Sequence, residues 1–555
     1  MMEKVDRIIV NGRLLTFEDG CPQAEALAIG GGRIVAVGST SEMRALAGPD
    51  TRITDAQGGT VLPGFIDSHV HIFGGSVELE TLSLKGVTGR DNVARVVREE
   101  AAARPEAPLV FAVQADYGIF GERHGTTRHD LDAILPDRPL AMYSPDYHTV
   151  WASTAALELA GLLRGGDTVA GSRIVMGEDG LATGELQEPG AFGPLLRYTR
   201  HGGREKAGIA TGRDPEPAPT AAERAADREA IRRGLAHCAA HGITGLHNMD
   251  GNPYQMELLA ELEAEGALPC RIEVPFHFKA FDELDRFEEA EEMRRRWRSD
   301  RLWCNRVKMF VDGVIESHTA LMLRPYPGTD HCGDAVFAPE HFNAACIEAD
   351  RRGFQIAVHA IGDLAVRRTL DGYAAARATN GARDARHRVE HIEVLHPDDL
   401  PRFAELGVVA SYQPVHAAAG HVYPPEAVGV HLHDDQKRLA YAWQDMRASG
   451  ARVCFSTDWP VVGVNPMTNL RAAVAPRRLP PPWGQQAQGL HDALASMTRD
   501  NAWVEFAEDR KGRLAPGYVA DIVVMRDDLE AMDPDGFEET GAAITLSGGE
   551  VTFAA

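Results

Sequence analysis

Residues 61–71 read Val61-Leu62-Pro63-Gly64-Phe65-Ile66-Asp67-Ser68-His69-Val70-His71, a short apolar run that ends in His-x-His. An apolar run of this length is typical of a buried strand. Residues two apart in an extended chain point to the same side, so the imidazoles of His69 and His71 face the same way. This run therefore predicts a strand that presents two metal-ligand side chains at its carboxyl end.

The first predicted strand covers residues 61–66. Seven further apolar runs follow it, at residues 243–248, 271–277, 306–311, 355–359, 387–391, 408–412 and 453–458. Helical stretches separate most of them, for example 221–240 and 339–352. Strand and helix in alternation predict an α/β fold with a parallel sheet, and eight repeats predict closure into a (β/α)8 TIM barrel. The gap at about 75–220 is then a large insertion after strand 1, with predicted strands of its own at 109–114 and 140–143.

Both ends of the chain contain short β-type runs joined by Asn-Gly or glycine-rich turns, which are hairpin signals. We expect residues 1–60 and 506–555 to pair into one small β-sandwich beside a metal-dependent hydrolase barrel at 61–505. Two separate flaps are the alternative, but they would leave unpaired strand edges that aggregate readily.

Residues of the types that bind metals stand at the carboxyl ends of five predicted strands. Besides the two histidines of strand 1, they are Lys308, His359, His391 and Asp458 on strands 4, 5, 6 and 8. A hydrolytic metal site needs imidazoles and anionic oxygens, and a barrel brings such side chains to one mouth. Taken singly, each has an ordinary role as a hydrogen-bonded, salt-bridged or helix-capping residue. Together, the set favours a metal centre.

Five motifs resemble those of the amidohydrolase superfamily, and more closely those of its YtcJ-like branch, which includes N-substituted formamide deformylases. They are residues 63–71, Val307-Lys308-Met309-Phe310-Val311-Asp312-Gly313, Val358-His359-Ala360-Ile361-Gly362-Asp363, Val389-Glu390-His391 and Ser456-Thr457-Asp458-Trp459-Pro460. Residues 512–521 resemble the segment in which chains of this family pass from the barrel back into the β-sandwich. The resemblance covers nearly the whole chain and is specific for superfamily and branch, although not for substrate.

By that resemblance, one metal ion is bound by His69, His71 and Asp458, and a second by His359 and His391. Lys308 bridges the two ions only as its carbamate, because an ammonium has no lone pair whereas CO2 supplies two anionic oxygens. The alternative is a mononuclear site in which the lysine is unmodified. Zn2+ is the expected ion because imidazole and carboxylate ligands suit it and acidify its water; Mn2+ and Fe2+ stay open.

The resemblance implies a metal-dependent hydrolase that acts through metal-activated water on a non-peptide carbon–nitrogen bond, of linear amide or N-formyl type. Asp458 is suited to general acid–base catalysis, taking the proton of water and passing it to the leaving nitrogen. The residues expected to contact substrate are His148, His416 and His318. Two alternatives stay open: a cyclic-amide, ester or lactone hydrolase on the same scaffold, and a non-catalytic regulator that kept the barrel.

The formal net charge of −24 argues against nucleic acid or an anionic membrane as a partner. Seven cysteines without a C-x-x-C pair are typical of reduced thiols rather than of a disulfide framework. The opening residues lack a secretory pattern, and no apolar run reaches the roughly 18 residues of a membrane helix. We therefore expect a cytoplasmic enzyme with a small-molecule substrate. Assembly into a homodimer is possible on this sequence.

Overall fold

The structure, a computed structural model, describes residues 4–121, 125–145, 147–168 and 172–555. The chain forms two compact units. One consists of Met1–His71 and Leu235–Ala555, and the other of Ile72–Gly234.

The larger unit is built around parallel strands. In chain order they are Phe65–Val70, Ile243–Asn248, Arg271–Glu273, Phe276–His277, Arg306–Phe310, Gln355–Ala360, Arg388–His391, Val409–Tyr412 and Arg452–Phe455. Hydrogen-bonded ladders join the first three with Leu302–Trp303 into one sheet and the last six into another. Every residue of Gln355–Ala360 is buried, as expected of parallel strands covered on both faces. The predicted α/β class is confirmed.

The predicted strand at 271–277 is split into two segments, which belong to different sheets. Pro275 lies between them, and a proline has no N–H to donate to a ladder. The first segment pairs with Ile243–Asn248, whereas Phe276–His277 pairs with Arg306–Phe310. The ladders therefore form two open sheets where the sequence predicts one closed sheet.

The first and last parallel strands approach each other at their carboxyl ends. Val70 and Trp459 form an isolated parallel bridge. The backbone N–H of Asp458 donates to the carbonyl of His69 across 2.9 Å, and that of His71 donates to the carbonyl of Trp459 across 2.7 Å. These bonds fix the strand-1 histidines next to the residues that follow the last strand.

Helices separate most of these strands, as the sequence predicts. From residue 221 onward the helices are Ala221–Ala240, Pro253–Ala264, Phe287–Arg296, Pro339–Arg351, Asp363–Asn380, Leu400–Leu406, Pro425–Gly429 and Trp443–Ala448, and after the last strand Pro466–Val474, Leu490–Ser496 and Arg499–Val504. Asn252 caps one of them by accepting from the backbone N–H of Gln255 across 2.9 Å, and Pro253 occupies the first helical position. Within the described ranges, no helix has the length and apolar character needed to cross a membrane.

The two ends of the chain share one six-stranded sheet, in which Thr60–Pro63 pairs antiparallel with Ile522–Met525. Its order is Glu550–Ala554, Ala542–Ser547, Ile522–Met525, Thr60–Pro63, Arg13–Leu15 and Gln23–Ala24. A four-stranded sheet of Arg33–Gly38, Ala26–Gly30, Arg7–Val10 and Arg52–Asp55 lies beside it, with the helix Thr40–Ala45. Both sheets contribute to one buried apolar cluster, for example Ile9 and Leu27 from one and Val61 and Ile522 from the other.

The smaller unit has its own six-stranded sheet, in the order Arg173–Met176, Ala182–Gln187, Thr149–Ala152, Leu140–Tyr143, Val110–Val113 and Leu82–Ser83. Its helices are Ile72–Glu78, Arg90–Ala103, Arg128–Ile134, Thr154–Leu159, Pro189–Leu196 and Ala207–Thr211. The strands predicted at 109–114 and 140–143 are both present, and they pair in parallel.

Candidate metal centre

Two imidazoles and one carboxylate converge where the first and last parallel strands end. Oδ1 of Asp458 lies 3.5 Å from Nε2 of His69 and 3.2 Å from Nε2 of His71. One ligand atom from each of the three residues lies within 4.8 Å of the others. His69 and Asp458 are buried, and His71 is largely so. Two nitrogens and a carboxylate oxygen at this spacing can hold one divalent cation.

A buried carboxylate orients each of these imidazoles. Nδ1–H of His69 donates to Oε2 of Glu390 across 2.8 Å, and Nδ1–H of His71 donates to Oδ1 of Asp250 across 2.6 Å. An ionised carboxylate only accepts, so when either imidazole is neutral its proton sits on Nδ1 and its lone pair on the Nε2 that faces Asp458. Arg388 holds Glu390 in turn, with its guanidinium 2.8 Å from Oε2. This is the carboxylate–histidine pattern that fixes metal ligands in their binding tautomer.

A second group of ligand atoms shares the carboxylate of Asp458. It consists of His391, His416 and Asp458, which also lie within 4.8 Å of one another by one ligand atom each. Nδ1 of His391 is 3.8 Å from Oδ2 of Asp458 and 2.8 Å from Oε1 of Gln413. Nε2 of His416 is buried and has no hydrogen-bond partner among the described residues.

His359 lies beside the second group but is not a member of either group found among the described residues. Its ring centroid is 4.6 Å from that of His391. Its Nε2–H donates to the carbonyl of Gly313 across 3.0 Å and lies 3.7 Å from Oδ1 of Asp312. The predicted pairing of His359 with His391 around an ion stays a prediction.

Lys308 is fully buried, and within the described chain its Nζ has no hydrogen-bond partner. Nζ lies 4.7 Å from the centroid of the Phe310 ring. Burial lowers the pKa of Lys308 to about 8, although Glu390 and Asp458 oppose the shift. A buried ammonium without a hydrogen-bond acceptor is costly, so this site suits a neutral amine or an amine converted to a carbamate.

Two of the three groups, His69 and Asp458, have the protonation state of a metal ligand. Burial and the charge of Lys308 lower the pKa of His69 to about 3, which leaves this imidazole neutral. Burial opposes ionisation of Asp458, but the neighbouring histidines outweigh it and hold its pKa well below the usual value. Burial also opposes protonation of His71, but Asp250 and Asp458 raise its pKa to about 9, so a cation competes with one proton there.

The other two predicted substrate contacts lie in different surroundings. His318 stacks on Tyr326 with ring centroids 4.3 Å apart, and its Nε2 lies 2.8 Å from Nδ1 of His431. His148 belongs to the smaller unit, where its Nδ1 lies 2.8 Å from Oε1 of Glu188. Their roles toward substrate stay predictions.

Sequence reasoning missed the residues that orient the histidines, namely Asp250, Glu390 and Gln413. Asp250 stands two residues beyond Ile243–Asn248, and Gln413 directly follows Val409–Tyr412. Both therefore stand at the carboxyl ends of parallel strands, the position from which His69 is predicted as a site residue. Glu390 is the residue before His391, in a strand that is buried throughout. Polar residues at the ends of buried strands were thus the available signal.

Comparison with known proteins identifies a family for nearly the whole chain. Residues 52–553 match the Amidohydrolase family. The chain is 26% identical to YtcJ of Bacillus subtilis, over 98% of both proteins. It is 25% identical to the N-substituted formamide deformylase of Arthrobacter pascens, over 95% of this chain and 94% of that one. These matches confirm the predicted resemblance.

The fold is also shared with a solved structure, that of an uncharacterized metal-dependent hydrolase from Pyrococcus horikoshii. The TM-score is 0.71 at 24% identity, over 95% of this chain and 98% of the other. The chain therefore belongs to the Amidohydrolase family, whose members are metal-dependent hydrolases of carbon–nitrogen bonds.

Proposed function

We propose that this chain hydrolyses a linear amide or N-formyl carbon–nitrogen bond at the centre formed by His69, His71 and Asp458. One observation carries the proposal: two Nε2 atoms converge on a carboxylate oxygen while both Nδ1 atoms are tied to buried carboxylates. Hydrolytic metal sites use this arrangement, with a further position for water. The 25% identity to an N-substituted formamide deformylase supports the choice of bond.

We propose Zn2+ as the ion, because two imidazole nitrogens and a carboxylate oxygen form a donor set that suits it. When bound, such an ion polarises a carbonyl oxygen and lowers the pKa of a water. Lys308, whose buried Nζ has no hydrogen-bond partner among the described residues, would carry the CO2-derived carbamate. Conversion to the carbamate removes the ammonium charge and adds oxygen donors.

Side chains of the protein would bind the ion and transfer the proton. The imidazoles of His69 and His71 would hold the ion, His71 after the cation has displaced its proton. Glu390 and Asp250 orient the two rings through Nδ1. Asp458, whose pKa the neighbouring histidines hold well below its usual value, would accept a proton from water at its carboxylate. It then delivers that proton to the leaving nitrogen, as a general acid–base does.

We further propose that the two parallel sheets are parts of one (β/α)8 barrel at about 61–505, which carries the insertion at about 75–220. The bridge between Val70 and Trp459 and the split strand around Pro275 support it, because they adjoin the edges that a closed barrel would join. The predicted β-sandwich of residues 1–60 and 506–555 would then extend to Pro63, because the strand Thr60–Pro63 belongs to the sheet of the chain ends and Val61 to its apolar cluster.

The test combines metal content with a substrate panel. Purified protein would be stripped with a chelator, reloaded with Zn2+ and assayed on N-formyl amines, N-acyl amino acids, hydantoins and lactones. We expect turnover of a linear amide or N-formyl compound that is lost on stripping, restored by Zn2+, and abolished by His71→Ala. His129→Ala is the control, because its side chain is 71% exposed. Protein without bound metal and without turnover would contradict the proposal, and turnover of hydantoins or lactones alone would contradict the choice of bond.

A further inference from the structure

We infer that His247 and Arg388 are positioning residues for the metal ligand His69. The inference rests on the proposed function, since it concerns the support of the same centre, and it adds no ligand to that centre. His247 belongs to the strand Ile243–Asn248, which pairs in parallel with Phe65–Val70, the strand that carries His69. Both positioning residues are fully buried.

The guanidinium of Arg388 holds His69 at two points. Its Nη2 donates to Oε2 of Glu390 across 2.8 Å, and the same oxygen accepts from Nδ1–H of His69 across 2.8 Å. Nη2 also donates across 2.8 Å to the carbonyl of Ser68, one residue before the ligand in the chain. The orientation of the imidazole and the position of the backbone beside it therefore both depend on this guanidinium.

His247 in turn holds the guanidinium. Nη1 of Arg388 lies 3.0 Å from Nδ1 of His247, and Nε2 of His247 lies 2.9 Å from Oε2 of Glu505. An arginine only donates and an ionised carboxylate only accepts, so the imidazole accepts at Nδ1 and donates at Nε2. Oε1 of Glu505 lies 2.5 Å from Nζ of Lys511. A continuous series of buried polar contacts thus runs from Lys511 through His247 to His69.

The surroundings of His247 suit this single tautomer. Burial and the charge of Arg306 lower its pKa to about 3, although Glu505 opposes the shift. The imidazole is therefore neutral at pH 7, and its one N–H and its one lone pair are both in use. A histidine with both nitrogens engaged has no free atom for an ion or a substrate, so its effect on the centre passes through Arg388.

Loss of the acceptor at Nδ1 of His247 would leave an N–H of a buried guanidinium without a partner, which is unfavourable. The guanidinium would turn toward another acceptor and release the carboxylate of Glu390, which then no longer fixes the imidazole of His69. Groups that orient a metal ligand in this way typically contribute 10–100-fold to metal affinity. Such a contribution is the measurable consequence of the inference.

The experiment compares two amide variants of His247. In His247→Asn the amide oxygen can take the place of Nδ1 and accept from Arg388, whereas in His247→Gln the amide can take the place of Nε2 and donate to Glu505. Competition with a chelator of known affinity measures Zn2+ binding. We expect affinity close to that of the unmodified protein in His247→Asn and a loss of roughly 10–100-fold in His247→Gln.

Thermal melting and circular dichroism of the metal-free proteins separate this role from a structural one. Each amide variant loses one contact of the same buried side chain, so a merely structural role predicts that Zn2+ affinity falls only as stability falls. The inference predicts that affinity differs between the variants even where their melting temperatures agree.

A second pair of variants tests the same guanidinium if a His247 variant does not fold. Nη2 of Arg388 donates to the buried hydroxyl of Ser411 across 3.0 Å, and Arg447 donates to the buried hydroxyl of Ser496 across 2.5 Å. We expect Ser411→Ala to weaken Zn2+ binding severalfold and the matched control Ser496→Ala to leave it unchanged.

Equal Zn2+ affinity in the two amide variants, or in the two serine variants, would overturn the inference. If the unmodified protein then still binds Zn2+ and turns over substrate, the proposed function stands without it. An unmodified protein that neither binds Zn2+ nor turns over substrate would instead remove the proposed function, and the inference with it.

Discussion

Asp250 accepts a hydrogen bond from Nδ1 of His71 across 2.6 Å, although the two residues are far apart in the chain. The carboxylate holds the imidazole with Nε2 toward Asp458 and would make it a more basic ligand for the proposed ion. We expect Asp250→Ala to weaken metal binding by roughly 10–100-fold, the usual effect of losing such a partner. Competition with a chelator of known affinity measures it. Asp250→Asn, whose amide oxygen can still accept, is the matched control, and equal affinity in all three proteins would contradict the role.

Asp458→Asn should preserve the fold and reduce turnover by roughly 10²–10⁴-fold, the contribution of a positioned general acid–base. The amide cannot accept a proton from water at neutral pH, although its oxygen remains a weak ligand. Steady-state kinetics and metal content should be measured on the same sample, so that lost chemistry is separated from lost metal. Turnover near that of the unmodified protein would exclude Asp458 as the base.

Lys308→Ala should lose activity and part of the bound metal, because both the amine and its carbamate disappear. Short carboxylic acids should restore some activity by supplying oxygen ligands in the space that the side chain leaves. A carbamate carbon should also be visible by 13C NMR of the unmodified protein after exposure to 13CO2. Full metal retention without rescue, together with no carbamate signal, would count against the carbamate.

Glu505 forms a buried ion pair, with Oε1 2.5 Å from Nζ of Lys511 and Oε2 2.9 Å from Nε2 of His247. Burial alone would raise its pKa, but Lys511 and His247 lower it from 4.5 to about 2. A pKa depressed by folding stabilises the native state above the unfolded value. This stabilisation is lost as the pH falls from about 4.5 towards 2.

Glu505→Gln should therefore lower the free energy of unfolding at pH 7 by roughly 3–5 kcal/mol, because it leaves Lys511 buried without its partner. Between pH 4.5 and 2 the variant should lose less stability than the unmodified protein. Denaturant titrations across this range test both statements. Parallel stability curves for the two proteins would show that the pair does not titrate as described.

Gly64→Ala should destabilise the protein, because a Cβ at this position would lie 2.2 Å from Cγ2 of Thr244. Forcing atoms this close moves the backbone of the first parallel strand, and overpacking of this kind costs roughly 1–3 kcal/mol. Gly20→Ala is the control, since a Cβ there meets nothing within 4 Å. Thermal melting compares the two variants, and equal melting temperatures would contradict the steric argument.

Buried strands and their carboxyl ends were predictable from the sequence. The strand expected at 387–391 is observed as Arg388–His391, and that expected at 355–359 as Gln355–Ala360. Runs of apolar residues define such strands, and the strand ends placed His69, His71 and Asp458 in one neighbourhood. These features depend on chain direction and periodicity, which a single sequence carries.

Contacts that depend on side-chain rotation were not predictable. His359 and His391 follow neighbouring strands, yet one imidazole bonds the carbonyl of Gly313 and the other the amide of Gln413. Which ring nitrogen keeps its lone pair depends on such local partners. The break at Pro275 was visible as a proline within a predicted strand, but its effect on the sheets depended on which neighbour each half would pair with.

The pairing of Thr60–Pro63 with Ile522–Met525 has a consequence for biosynthesis. At about 5–20 residues per second, a ribosome needs roughly 25 to 90 seconds to make the chain between these two strands. Throughout that interval the early strand has a bare edge, which is open to association with other nascent polypeptides. Cover on that edge, for example by a chaperone, would prevent such association until the late strand leaves the exit tunnel.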